Sequence, residues 1–368
     1  MITKTTIHRG LIFAALPLTL FLSGCSITDF IGFGGQKQGP PPPPVGIYKS
    51  IDRGDNWVTR NSILSANPAA RPTLDNINVQ TLILDPTDSR TLYLGSQGQG
   101  LYYSYDGGDS WWPSGPIRQG DINAIAVSSA PSMRCTIYIA TANRILRTTD
   151  CGRFWDQLYY DTRLQEKVLT LAINQENPAM IYAGLTTGEV LKSSDAGKSW
   201  ETIARLQGRI NRIVKHALKA STIYLIIEGR GFWRSEDSGA TWQDMSEDLK
   251  KFPGALSIND LVVDPMRPDT VITASKYGLV RTTDGGSTWS ALPLLTPPSS
   301  VDIFAVALNP NNSTELYYTT DRTLYRSQDA GKTWETKTLP VPGAHTILLV
   351  DPKVPTTQYL GVARTGKK

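Results

Sequence analysis

Short runs in which apolar and polar residues alternate recur through most of the chain, and a period near two predicts strands rather than helices. Seven of them, GIYKS, GLYYS, RILRT, EVLKS, GFWRS, GLVRT and TLYRS, are built largely from aromatic, β-branched and other apolar residues. Each runs into one pattern, [S/T]-x-D-x-G-x-x-W. It reads SIDRGDNW at 50–57, SYDGGDSW at 104–111, TTDCGRFW at 148–155, SSDAGKSW at 193–200, SEDSGATW at 235–242, TTDGGSTW at 282–289 and SQDAGKTW at 327–334. The aspartate can accept bonds from the turn's own amides, the glycine permits a left-handed backbone, and the tryptophan is expected to pack back on its hairpin. Each box is therefore predicted to be a turn between two strands.

Between the boxes lies a second recurring unit: an apolar strand, a Pro- or Asn-rich turn, and a strand ending in small residues. Examples are TLILDPTDSRTLYLG, TLAINQENPAMIYAG and ILLVDPKVPTTQYLG, and there are seven in all. With its strands called a and b, and those flanking the box c and d, the chain runs cd, ab, cd, ab and ends on ab. The box aspartates recur at spacings from 42 (Asp195 to Asp237) to 54 residues (Asp52 to Asp106), the length of a four-stranded propeller blade. The expectation is an all-β protein, a seven-bladed β-propeller of four-stranded antiparallel blades over residues 45–364. Its C-terminal a–b pair, about 345–364, should sheet with the N-terminal c–d pair, about 46–60, and close the ring.

The remaining segments read differently. Residues 1–10 carry Lys4 and Arg9, and 11–22 (LIFAALPLTLFL) form an apolar run of signal-peptide length, too short to span a bilayer. The run ends in Leu22-Ser23-Gly24-Cys25, which resembles the bacterial lipobox. That resemblance implies cleavage after residue 24, lipidation of Cys25 (palmitate among its acyl chains) and a lipid-anchored cell-envelope address. Ser26 points to the outer membrane by the sorting rule it resembles. Residues 25–44 are read as a lipidated cysteine with a Gly/Pro-rich tether, and 365–368 as a C-terminal tail.

Composition narrows the function. The net charge of +4 falls to about +2 without Lys4 and Arg9, far below the bias of a dedicated nucleic-acid binder. His8, His216 and His345 show no metal-binding spacing, and no phosphate loop, GxSxG elbow or CxxC pair occurs. GSQGQG at 95–100 joins two strands and reads as a b–c turn. No cofactor or metal is therefore expected. If TIYIA (136–140) and RILRT (144–148) pair as a hairpin, Cys135 comes beside Cys151 within disulfide reach; two separate thiols are the alternative.

The repeated motif is similar to the Asp-box, or BNR, repeat, and seven regular copies resemble the sortilin-type and photosystem II assembly-factor-like propellers. The resemblance implies boxes at the blade periphery, with structural aspartates, and is poor for function because sialidases, xyloglucan-degrading enzymes, receptors and assembly factors share it. A sialidase is expected to have six blades, and a xyloglucanase of this type two facing propellers, so both enzymatic precedents are expected to fit badly. In such rings the a–b and c–d turns share one face, and the b–c and d–a loops open on the other around the axial channel. The first set holds Asp85, Asp88, Asp264, Asp269 and Asp351; the second holds Arg144, Arg163, Lys167, Arg205, Arg209, Arg230, Lys276 and Arg322, with Trp112, Tyr159, Tyr160 and Tyr277. Arg144, Arg209, Arg230, Lys276, Tyr277 and Arg322 are the candidate partner-binding residues, with ordinary solvated loop charges as the alternative. The leading expectation is a non-catalytic scaffold that binds an exported or membrane protein through an acidic segment. The alternative is a carbohydrate-active propeller, either a glycan-binding module or a glycan hydrolase or lyase.

Overall fold

The structure is a computed structural model and describes residues 43–364 apart from 68 and 217. Seven four-stranded antiparallel sheets form, and six run a-b-c-d in chain order. Blade 1 spans Val79–Pro113, blade 2 Ala124–Tyr160, blade 3 Val168–Arg205, blade 4 Ile210–Asp244, blade 5 Ile258–Ala291 and blade 6 Ala305–Thr338. The seventh is shared by the two ends of the chain: Ala344–Val350 and Gln358–Ala363 supply a and b, Gly46–Ser50 and Val58–Thr59 supply c and d. Its closing ladder pairs Gly46 with Val362 and Ser50 with Gln358. The seven-bladed propeller read from the repeat spacing is thus the fold, with the two-plus-two closure within a residue or so of its expected bounds.

Hydrophobic burial lies between blades rather than inside one centre. Tyr138, Ile145, Val168 and Ile181, for example, form a cluster drawn from blades 2 and 3, and Ile47, Tyr359, Leu82 and Leu94 one drawn from blades 7 and 1. The b strands come close to the next blade's inner strand, and a glycine makes room for this in blade 3. A Cβ on Gly184 would lie 2.7 Å from Ile210 Cβ and 2.5 Å from its Cγ2.

Every box forms the same closed turn. In blade 3, Ser193 Oγ donates to Asp195 Oδ1 at 2.8 Å and accepts the Gly197 amide at 2.8 Å; Asp195 accepts the Ser199 amide at 2.9 Å and the Ser199 hydroxyl at 2.7 Å. The residue between Asp and Gly is also left-handed, as at Ala196 (φ 60°) and Ala330 (φ 64°). The tryptophans follow the expectation only in part. Trp155 and Trp200 bond back to their own boxes, at Gly152 O and Gly197 O, whereas Trp289 donates to Met245 O and Trp334 to Pro293 O of the preceding blade. Long d–a loops such as 245–257 and 292–304 put a carbonyl within reach there, so those rings seal the gap between blades.

The box carbonyls receive the previous blade. Arg147 Nη1 and the Tyr138 hydroxyl both donate to Ala196 O, at 3.1 and 3.2 Å, Arg281 Nη1 to Ala330 O at 3.2 Å, and Arg326 Nη1 to Arg53 O at 3.3 Å. Cys135 and Cys151 form a disulfide, with Cα atoms 4.4 Å apart, clamping the a–b turn of blade 2 to its box. Gly184→Ala should overpack the interface of blades 3 and 4 and cost about 1–3 kcal/mol, read as a fall in the denaturant midpoint. Wild-type stability would refute the close-approach account.

Candidate functional site

The box aspartates are consumed by structure. Each accepts an amide bond from the residue four positions on. The Ser199 hydroxyl, then its amide and the Ser193 hydroxyl, hold Asp195 down at about 2, and the Thr241 hydroxyl and amide with Ser235 do the same for Asp237.

The face formed by b–c turns and d–a loops carries all six candidate residues, but the structure distributes them around the rim. Arg144 opens the c strand of blade 2 with its guanidinium 5.4 Å from the Tyr160 ring centroid. Arg209 pairs with Glu228 at 3.1 Å, and Arg230 donates to Gln207 at 2.7 Å, so these two arginines tie the 207–209 and 228–230 loops together. Lys276 is exposed in the b–c turn of blade 5, while Tyr277 is half-buried, packed 5.2 Å from the Phe252 ring. Arg322, on blade 6, pairs with its neighbour Asp321 at 3.3 Å. Arg163 bridges Asp161 and Glu189, and Arg205 also reaches Glu189 at 3.3 Å. The face is therefore a mosaic of ion pairs with exposed Tyr160, and its arginines are largely matched by acids of the same loops.

A more concentrated site lies at the axis. The seven inner strands surround a channel of about 620 Å³. Strands of blades 1, 3, 4, 5 and 7 open with a β-bulge that skips Gln80, Leu169, Asn211, Asn259 and Thr346, and a bulge re-aims the side chain of its extra residue. With Asn123, the polar members make a belt at the b–c/d–a end of the channel. Thr346 Oγ1 donates to Val79 O at 3.0 Å, Gln80 Nε2 to Asn123 Oδ1 at 2.8 Å, Asn123 Nδ2 to Val168 O at 2.8 Å and Asn259 Nδ2 to Ile303 O at 2.9 Å, each crossing to the next blade. Between blades 4 and 5 the link is ionic: Arg212 Nη1 bonds Asp260 Oδ1, with the arginine side chain 47% and the aspartate 8% exposed. Burial pushes the Asp260 carboxyl up, while the Arg212 guanidinium and the Val306 and Leu261 amides hold it back.

These residues were missed at the sequence level because they are isolated amides and one distant ion pair. The available signal was an aliphatic residue followed by an amide at the start of an inner strand, as in VQT (79–81), INA (122–124), INR (210–212) and IND (258–260). Of the two described histidines, His216 lines the same cavity at the opposite end of its inner strand. His216 Nδ1 accepts the Leu218 amide while Nε2 reaches Asp264 O, and His345 lies between the Thr320 and Val341 carbonyls.

The chain is similar to several known proteins over part or most of its length. Residues 188–278 match the Sortilin-Vps10 family model, described as sortilin, neurotensin receptor 3. The xyloglucanase Xgh74A of Acetivibrio thermocellus is 23% identical over 334 residues, covering 76% of this chain and 36% of its own length, so the chain spans about a third of that relative. The GH74 xyloglucanase structure from Xanthomonas campestris superposes with a TM-score of 0.65 at 17% identity, over 78% of this chain and 51% of that one. A structure of YCF48 bound to D1 peptide superposes with a TM-score of 0.62 at 18% identity, over 84% and 99%. The expectation of a non-catalytic scaffold is corrected by these relatives: xyloglucanases align along most of the propeller and favour the glycan-directed alternative. The physical reason for the error is that boxes stabilise peripheral turns and say nothing about the loops. Of the arginines that suggested an acidic protein segment, Arg163, Arg205, Arg209 and Arg322 are paired with Asp161, Glu189, Glu228 and Asp321, whereas Arg144 and Arg230 have no acidic partner among the described residues.

Acid titration tests the structural account of the boxes. Asp195, Asp237 and Asp284 are held at about 2 against an ordinary 3.8. A depressed folded value contributes stability present above the unfolded value and lost as pH falls through the folded one. Box-dependent stability should therefore be intact above about pH 4 and disappear toward about pH 2, read from tryptophan fluorescence. Loss of the fold already above pH 5 would contradict it.

Proposed function

We propose that this protein is a carbohydrate-active propeller of glycan-hydrolase type that takes a β-linked polysaccharide of the xyloglucan class across its b–c/d–a face. The observation that carries the reading is the alignment of a xyloglucanase over 76% of the chain. The site's chemistry supports it. Sugars are bound by side-chain amides, hydroxyls, fixed arginines and aromatic faces rather than by a field of unmatched charge. That face offers Tyr160 beneath Arg144, the bonded Arg209, Arg230 and Arg322, the Lys276–Tyr277 turn, and the amide belt at the channel mouth. Incubation of the purified full-length protein with xyloglucan should release reducing ends or retard the polymer in affinity electrophoresis, with unrelated polysaccharides as controls. Failure to bind or cut any β-glucan would overturn the reading.

The same proposal places the ring at a membrane surface. Residues 1–24 are proposed as a lipoprotein signal and Cys25 as the acylated residue, anchoring the propeller in the cell envelope, at the outer membrane, through the 25–44 tether. These residues, other than 43 and 44, lie outside the described residues, as does the proposed tail 365–368, and the reading rests on Leu22-Ser23-Gly24-Cys25. Cells fed an alkyne-tagged palmitate should label the wild type and not Cys25→Ala. Equal labelling of both would refute the anchor.

A further inference from the structure

In two blades the residue just after the bulge of the inner strand accepts a backbone amide of the next blade's inner strand. In blade 3 this is Thr170, its Oγ1 accepting the Ile213 amide at 3.0 Å. In blade 5 the same position is Asp260, whose Oδ2 accepts the Val306 amide at 3.0 Å. In blade 4 the position is Arg212, which has no acceptor to offer. The Leu261 amide it would have clasped is taken instead by Asp260 Oδ1 at 2.8 Å, the same oxygen that holds the guanidinium.

A threonine at each of the two positions would satisfy both amides without burying a carboxylate. The chain instead keeps an arginine in blade 4 and an aspartate in blade 5 that accepts both amides, an arrangement costly in desolvation. Its product is a guanidinium fixed at one nitrogen and half-exposed in the channel mouth. Around it stand Gln80, Asn123, Asn211 and Thr346, all uncharged, and all lining the same cavity. The Arg212–Asp260 pair is neutral as a unit, so the mouth presents hydrogen-bonding groups without net charge. Below it the lining is mixed, with aliphatic residues such as Ile83 and Val214 alongside Thr170, Asn174 and Lys215.

From this geometry we infer that the channel mouth is a subsite for the terminal unit of a neutral glycan chain, with Arg212 as the residue that grips its hydroxyls and Asp260 as the residue that positions Arg212. Amide, hydroxyl and guanidinium groups around the mouth match the hydroxyls of a sugar ring, and about 620 Å³ lies within the range of small-ligand pockets. The inference rests on the glycan reading of the previous subsection and adds to it where one end of the chain goes.

The test is isothermal titration of the full-length protein with a xyloglucan oligosaccharide, alongside polymer retention and cleavage. Arg212→Gln should weaken oligosaccharide binding about 10- to 100-fold. The double variant Arg212→Thr with Asp260→Thr, which copies the blade 3 solution, should lose binding to the same degree while its thermal midpoint stays at or above that of wild type. Wild-type affinity in both variants overturns the subsite, and leaves the glycan reading standing if the polymer is still bound or cut. A wild-type protein that touches no glycan at all removes the reading and the subsite together.

Discussion

The structure depends on one ladder, the antiparallel pairing of Gly46–Ser50 with Gln358–Ala363. Sheets packed face to face around an axis have no natural stopping point, and an open ring would leave a b strand with unpaired amides and an apolar flank without its neighbour. Splitting the last blade between the two ends of the chain makes its own sheet the closure. The adjoining clusters, one holding Tyr48 against Tyr317 and the other Ile47 against Leu82, are completed by the same event.

Two belts transmit that closure around the ring. The outer one runs from the c-strand basic residues and b-strand tyrosines into box carbonyls, as Arg147 and Tyr138 both reach Ala196 and Tyr359 reaches Gly107. The inner one runs through bulge-position amides into the next blade's strand. Because the outer belt ends on backbone carbonyls, its geometry tolerates variation in the side chains that do not take part. The loops between the belts are then free to carry chemistry, which is why a shared repeat accompanies many functions.

On the proposed glycan reading, the inner belt is where binding and stability share residues. Most of its members are neutral and interchangeable, but Arg212 and Asp260 are neither. The buried Asp260 carboxyl serves two amides and a guanidinium at once, a concentration of polar demand that is worth its desolvation only when fully satisfied. The rim arginines differ: they are exposed and screened, and their ion pairs contribute little to stability.

Much of the architecture was legible in the chain itself. Seven boxes at near-constant spacing, with an ab unit after each, dictate blade number, strand order and the two-plus-two seam, because turn chemistry and period-two burial are local properties. The Cys135–Cys151 bridge followed from a single hairpin register for the same reason. Only the tertiary structure decided the partners of Trp289 and Trp334, the pairing of Arg209 with Glu228 and of Arg163 with Glu189, and the meeting of Arg212 with Asp260 across 48 positions. Those contacts join different blades or loops, and their existence depends on where the curvature of the ring and a one-residue bulge aim each side chain, which no local pattern encodes.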